Sequence, residues 1–123
     1  MAISLRKPLR IALPIPGFDE SAIFCFPAWG DKKLLDAVDE LLETRQIVDG
    51  RQITDNSKEA RVKFFDTQCS GVENLVDEDA QGAEVDLMDL ADWKERIAGS
   101  WKTSVVSQNF EERGTLTAAD VKN

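Results

Sequence analysis

The segment DKKLLDAVDELLETRQI, residues 31–47, constrains the fold most because its apolar residues fall on one side of a helix. Their spacing of three or four residues predicts an amphipathic helix, with Asp31 placed to cap its N-terminus. Lysines near the start and acids toward the end oppose the macrodipole, which costs roughly 0.3–1 kcal/mol for a charge in a terminal turn. Packing must therefore hold this helix against an extensive apolar surface. Its stripe consists of Leu34, Leu35, Val38, Leu41 and Leu42.

Two shorter apolar runs precede this helix, at residues 3–13 and 21–26. Pro14, Pro16 and Gly17 separate them, and residues of this kind interrupt regular structure. The pattern predicts two strands joined by a proline-rich loop, which is a short β-hairpin. Pro8 places the first strand at a sheet edge, because proline has no N–H group for a ladder on both sides.

Two further helical patterns follow. The first runs from Asp55, which suits a helix start, and the second follows an acidic stretch and is divided by Gly99, with Ser100 as the N-cap of its second part. We therefore predict an α+β fold that is mainly helical, with three to four amphipathic helices and the N-terminal β-hairpin. Residues 1–112 form a single globular domain in this prediction, and residues 113–123 form a mobile tail. The two stripes are Val62, Phe65, Cys69, Val72 and Val76, then Leu90, Trp93, Ile97, Trp101 and Val105.

The acidic stretch resembles the start of a calcium-binding EF-hand loop. Such a loop requires a bidentate Glu at position 12, where this chain has Met88, and usually an aliphatic residue at position 8, where it has Glu84. We therefore predict no metal site and a solvated loop that turns at Gln81 and Gly82. The positions that do fit, 1, 3, 5 and 6, are Asp77, Asp79, Gln81 and Gly82.

The net charge of −8 argues against nucleic-acid binding, which requires a basic face. Residues 64–93 contain no Lys or Arg, while Asp and Glu accumulate there. This acidic side either steers a basic partner toward the chain or only keeps the surface hydrated.

Catalytic signals are missing from the sequence. It has no His, no Tyr, no phosphate-binding glycine loop and no Cys pair at metal spacing. We therefore expect no enzyme activity and no cofactor. Cys25 and Cys69 lie in apolar surroundings and are predicted to be buried free thiols in a reducing cytoplasm. No apolar run approaches the roughly 20 residues that span a membrane, so we expect no membrane partner. The apolar stretch at the N-terminus is short, interrupted by prolines and without a clear cleavage site, so we predict no signal peptide and a cytoplasmic location.

Trp93 and Trp101 have two interpretations: tryptophan is enriched at binding hot spots, but their helical spacing also suits core packing. The leucine stripe and these tryptophans exceed what a thin two-stranded unit covers, so we expect a partner, either a second copy or an amphipathic helix. The predicted partner-binding residues are Leu34, Leu41, Trp93, Trp101, Asp77, Glu78 and Asp79.

The order of these signals resembles the tail assembly chaperones of long-tailed bacteriophages and prophages, over roughly residues 20–123. The segments that carry the resemblance are IFCFPAWGDKKLLDAV, ARVKFFDTQCSGVENLVDEDAQG and DLADWKERIAGSWKTSVVSQNFEE. It is a similarity of layout, and Ala98-Gly99 stands where the family pattern leads us to expect an Ile-Pro turn.

The resemblance implies a non-enzymatic role. Such chaperones bind the tape measure protein, prevent its aggregation and help recruit tail tube subunits in the host cytoplasm, and many have a longer frameshifted form. Two alternatives from other classes are an acidic nucleic-acid mimic that inhibits a host DNA-binding protein, and a small acidic adaptor.

Overall fold

The computed structural model describes residues 2–46 and 56–111, with side chains described for 2–42 and 58–111. The predicted tail at 113–123, and most of the polar link that follows residue 46, lie outside these residues. The predicted boundary of a single domain at residue 112 therefore stays a prediction.

A three-stranded antiparallel sheet forms the β part of the core. Strand β1 (Leu9–Pro14) pairs with β2 (Ser21–Phe26), and β2 also pairs with β3 (Gly71–Glu73). The predicted N-terminal hairpin is confirmed, and β1 lies at the sheet edge as Pro8 indicates. In the central strand β2, Ala22, Phe24 and Phe26 point into the core, because alternate residues of a strand face opposite sides.

Helix α1 (Lys32–Gln46) begins where the sequence predicts. The Asp31 Oδ1 atom accepts a hydrogen bond of 3.0 Å from the Leu34 N–H group, which confirms the cap. The helix packs on α2 (Asn56–Gln68), which in turn packs on a later helix, residues Gly99–Val106. These helices and one face of the sheet enclose the core.

The prediction for the end of the second helix is wrong. Helix α2 ends at Gln68 instead of continuing through Val72 and Val76, because the chain there pairs with the sheet. The Ser70 N–H group donates to the Cys25 carbonyl at 2.8 Å and starts β3. Gly71 favours this outcome, since glycine in a helix interior costs roughly 1 kcal/mol relative to alanine.

A second, two-stranded sheet replaces the predicted irregular acidic loop. Strands β4 (Val76–Glu78) and β5 (Glu84–Asp86) form an antiparallel hairpin, hereafter the acidic hairpin. Its turn includes Gly82 with φ of 82°, so the predicted turn at Gln81 and Gly82 is confirmed.

The last part of the described chain is divided, as predicted, close to Gly99. A short 3-10 helix (Leu87–Asp89), α3 (Trp93–Arg96), α4 (Gly99–Val106) and a π-helical segment (Ser107–Glu111) follow one another. Ser100 is not the N-cap, because α4 begins at Gly99 with Ala98 as its N-cap, and the N–H groups of Trp101 and Lys102 donate to the Ala98 carbonyl.

An aromatic cluster fills the centre of the core. The Phe110 ring lies 4.7 Å from the ring of Phe64 and 5.0 Å from that of Phe26, centroid to centroid. Beside it, the fully buried Glu111 carboxylate forms a two-point ion pair with the Arg61 guanidinium, whose Nη2–Oε2 distance is 3.0 Å. The fold is α+β with an N-terminal hairpin; because the described residues include five short strands, "mainly helical" is only a loose description.

Two adjacent leucines of α1 provide a test of this packing. We expect Leu34→Ala to lower the free energy of unfolding by roughly 2–5 kcal/mol, because Leu34 is fully buried. Leu35 is 44% exposed, so Leu35→Ala should lower the free energy of unfolding by only about 0.5 kcal/mol. Chemical denaturation of both variants measures the difference, and equal effects would contradict the placement of the stripe.

Candidate functional site

An open groove of about 550 Å³ lies at the end of the sheet where β1 finishes and β2 begins. The loop between these strands forms one side, the segment that follows β3 forms another, and Trp101 from α4 contributes to the lining. The lining is mostly apolar, with acidic and amide groups from residues 19, 20 and 74. The apolar lining residues are Ile15, Phe18, Ala22, Leu75, Val76 and Trp101.

Local backbone geometry holds Phe18 at this groove. Gly17 adopts a φ of 91°, which glycine tolerates without strain, and the Phe18 N–H group donates to the Ile15 carbonyl at 3.1 Å. The turn leaves the Phe18 side chain 74% exposed, directly before Asp19 and Glu20, which are also exposed. A large aromatic side chain so exposed beside an acidic pair suits contact with a partner better than core packing.

The opposite side of the groove is fixed by Asn74. This residue has a φ of 67°, a left-handed conformation that asparagine tolerates better than most residues. Its side-chain Nδ2 donates to the Ser21 carbonyl at 3.3 Å and so links the exit of β3 to the start of β2. The chain then continues through Leu75 to the exposed Val76, so both apolar side chains line the groove.

The predicted partner-binding residues fall into different environments. Trp93 and Trp101 are both half-buried and pack against the core, and of the two only Trp101 lines the groove. Leu34 and Leu41 are buried in the core, so the expectation that they offer apolar surface to a partner needs correction. Helix α2 and the π-helical segment pack against α1, and the buried residues of its stripe belong to the same core cluster as those of the sheet.

Apart from Trp101, sequence reasoning did not single out the residues of the groove. Phe18 is the most informative of them, because it stands between Pro16-Gly17 and an acidic pair in a loop that has no core to enter. Leu75 and Val76 carried no such signal, since their spacing also fits the helix that we predicted there.

Two acidic side chains of the acidic hairpin are paired within the chain, so fewer of them are available to attract a basic partner than the sequence indicates. Arg96, which lies outside residues 64–93, pairs with Asp77 at 3.1 Å and with Asp92 at 2.8 Å, and also donates to the Glu78 carbonyl. The Asp79 Oδ1 atom accepts the N–H groups of Gln81 and Ala83, both at 2.9 Å. Asp77 and Asp79 therefore have structural roles in the hairpin, and steering of a basic partner by it stays a prediction.

Met88, at position 12 of the calcium-like pattern, packs against the sheet. The Val72 N–H group donates to the Met88 sulfur at 3.3 Å, so this side chain closes the outer edge of β3. Across residues 2–46 and 56–111 we find no group of three or more His, Cys, Asp or Glu side chains that could hold a metal ion.

The two cysteines are free thiols in different environments. Cys69 is buried, and burial raises its pKa to about 11. The prediction that Cys25 is buried needs correction, because it alternates to the outer face of β2 and is only partly covered. There its Sγ donates to the Glu73 carboxylate at 3.5 Å, and Glu73 also pairs with Arg10. Partial burial, followed by Glu73, raises the pKa of Cys25.

No family model matches the chain, and no curated protein or solved structure matches it. Within the described part of the chain, no helix has the length and apolar character needed to cross a membrane.

The pairing of Arg96 with Asp77 can be tested by titration. The Glu78 N–H group first, and Arg96 second, hold the pKa of Asp77 below its usual range. Because the folded-state pKa is lowered, the stabilisation is present above the unfolded pKa and is lost as the pH falls through the folded pKa. Arg96→Gln should move the pKa of Asp77, measured by NMR, part of the way back toward its usual value. Lys63→Gln removes a distant charge and should leave it unchanged; equal shifts in both variants would contradict the pairing.

The thiol environments predict different reaction rates. With a thiol reagent at pH 8, Cys25 in a Cys69→Ser variant should react in the folded state. Cys69 in a Cys25→Ser variant should react only after unfolding, since roughly one thiol in a thousand is ionised three pH units below its pKa. If Cys69 reacts faster than Cys25 in the folded state, the placement of Cys69 in the buried core is wrong.

Proposed function

We propose that this chain is a tail assembly chaperone of a long-tailed bacteriophage or prophage, which acts without catalysis in the cytoplasm of the host. In this proposal it binds the tape measure protein, keeps its apolar surfaces from aggregating and assists the recruitment of tail tube subunits. The sequence resemblance supplies the identity of the partner, and the groove supplies a place for it to bind.

The groove is the observation that supports binding of a helical segment. An amphipathic helix binds by laying its apolar face into an apolar groove. Phe18 and Val76 are exposed at this groove and Trp101 lines it, so three large side chains are available to such a face. The volume of about 550 Å³ accommodates a few side chains, which is the contact that one or two helical turns make.

The charge around the groove defines which helices it favours. Asp19 and Glu20 line it, and neither side chain forms a hydrogen bond or ion pair with another described residue. Complementary charge accelerates association and selects partners more than it adds affinity. We therefore propose that the bound segment carries Lys or Arg beside its apolar face. The apolar groove supports the chaperone proposal over an acidic nucleic-acid mimic, which needs a carboxylate surface and no apolar groove.

Co-expression with the tape measure protein encoded nearby tests this proposal. We expect a soluble complex when this chain is present and insoluble tape measure protein when it is not. Phe18→Ser should reduce the yield of complex several-fold without loss of stability, because the side chain is exposed. Leu35→Ser is the matched control, since it removes an exposed apolar side chain from α1, away from the groove.

Charge variants separate the two acidic regions. Asp19→Asn with Glu20→Gln should slow association several-fold at low ionic strength, and the difference should decrease as salt screens the charges. Glu78→Gln in the acidic hairpin should have a smaller effect. If the tape measure protein is equally soluble alone, or if Phe18→Ser and Leu35→Ser behave alike, the chaperone function at this groove is wrong.

A further inference from the structure

The residues that precede β1 form an exposed arm with a distinct composition. In this arm, residues 2–8, Ile3 is 86% exposed and Leu5 is also largely exposed, which is unusual for aliphatic side chains. Arg6 and Lys7 are exposed beside them, and no acidic residue occurs before Asp19. The arm therefore combines apolar and cationic side chains on one short segment.

The backbone of the arm is attached at one end of the sheet. The Leu5 carbonyl accepts a hydrogen bond of 2.8 Å from the Gly30 N–H group, close to the point where β2 ends and α1 begins. The groove lies at the other end of the same hairpin. Six residues of strand span about 20 Å, whereas the two residues beyond Leu5 reach only about 7 Å. Ile3 therefore cannot enter the groove of its own chain.

The arm and the groove are complementary in chemistry. Ile3 and Leu5 match the apolar lining that includes Phe18, and the cations of the arm match the two acids of the groove. Within the described residues, none of these four charged side chains is engaged in a hydrogen bond or ion pair. The charged residues are Arg6 and Lys7 on the arm, and Asp19 and Glu20 at the groove.

We propose that the arm of one copy docks into the groove of a second copy, so that the chain associates head to tail. The two contacting surfaces differ, which makes the interface heterologous, and such an interface produces rings or open chains instead of a symmetric dimer. The association is weak, since a seven-residue arm buries far less than the roughly 1,200 Å² of a stable interface. It is also sensitive to salt, because it joins opposite charges in a protein whose net charge of −8 otherwise keeps copies apart.

This self-association gives the groove a second occupant. An arm and a partner helix cannot fill the same space, so a partner that binds at the groove displaces the neighbouring copy. The inference concerns this chain alone and does not depend on the proposed chaperone function. If co-expression with a tape measure protein fails, the head-to-tail contact remains to be judged by the experiment below.

The contact can be tested by exchanging the charges of the arm and the groove and measuring self-association of the purified full chain by sedimentation at low salt. One variant, Arg6→Glu with Lys7→Glu, reverses the arm, and another, Asp19→Lys with Glu20→Lys, reverses the groove. We expect the mass-average molecular weight of the unaltered chain to rise with concentration and to fall with added salt. Each variant alone should associate at least about tenfold more weakly, because like charges then meet.

Mixing the two variants is the decisive measurement. The reversed groove of one accepts the acidic arm of the other, and the unaltered arm and groove remain complementary, so an equimolar mixture should regain association. A chain that carries all four substitutions should also associate alone. The matched control is Lys32→Glu with Lys33→Glu on α1, which changes the net charge by the same amount as the arm variant and should reduce association much less.

Three outcomes would overturn the proposal. The first is an unaltered chain that stays monomeric at every concentration and salt. The second is a mixture of the two variants that associates no better than either one alone. The third is a control on α1 that weakens association as much as the arm variant does, since the effect would then follow net charge and not the contact of arm with groove.

Discussion

The contact of Phe110 with Phe26 and Phe64 joins three parts of the chain that are distant in sequence. It connects the central strand, helix α2 and the π-helical segment at the end of the described chain. The neighbouring Glu111 carboxylate is buried and would be costly in this position without Arg61. The aromatic contact and the ion pair therefore fix α2 in one position along the sheet.

The groove follows from that position. Because α2 is fixed and ends at Gln68, the next residues reach the free side of β2 and form β3. Asn74 then directs the chain back across the start of β2, and this path brings Leu75 and Val76 opposite the loop that carries Phe18. Two of the segments that line the groove, the loop that carries Phe18 and the segment that follows β3, are distant in sequence, and each depends on β2 for its location.

The sequence identified the elements whose signals are local. The Asp31 cap of α1, the proline-rich loop between two strands and the interruption of the helix near Gly99 were predictable. Each of these features depends on residues that are neighbours in sequence. It failed at β3, since Cys69 and Val72 would be buried in the predicted helix and are also buried in the observed structure. Apolar spacing therefore could not separate the two possibilities. Pairing of Ser70 with Cys25 decides between the two, and such a long-range contact leaves no local pattern.

In the site, too, local features were predictable and long-range contacts were not. The sequence shows no Lys or Arg near Asp77, whereas folding brings Arg96 to it from nineteen positions further along the chain. Leu34 and Leu41 were predicted to bind a partner because the packing of α1 against α2 and the π-helical segment is not visible in the sequence. Phe18 was recognisable in principle, since an aromatic residue between a Pro-Gly pair and two acids has no place in a strand or a helix.

Gly30 sets the direction in which the arm leaves the body of the protein. A Cβ atom at this position would lie 2.7 Å from the Leu5 carbonyl oxygen, a backbone atom that cannot move aside alone. Any other residue would therefore push the arm away from its hydrogen bond and change its angle to the sheet. The requirement for glycine here comes from the neighbouring backbone, and it makes a residue without a side chain the attachment point of the arm to the rest of the fold.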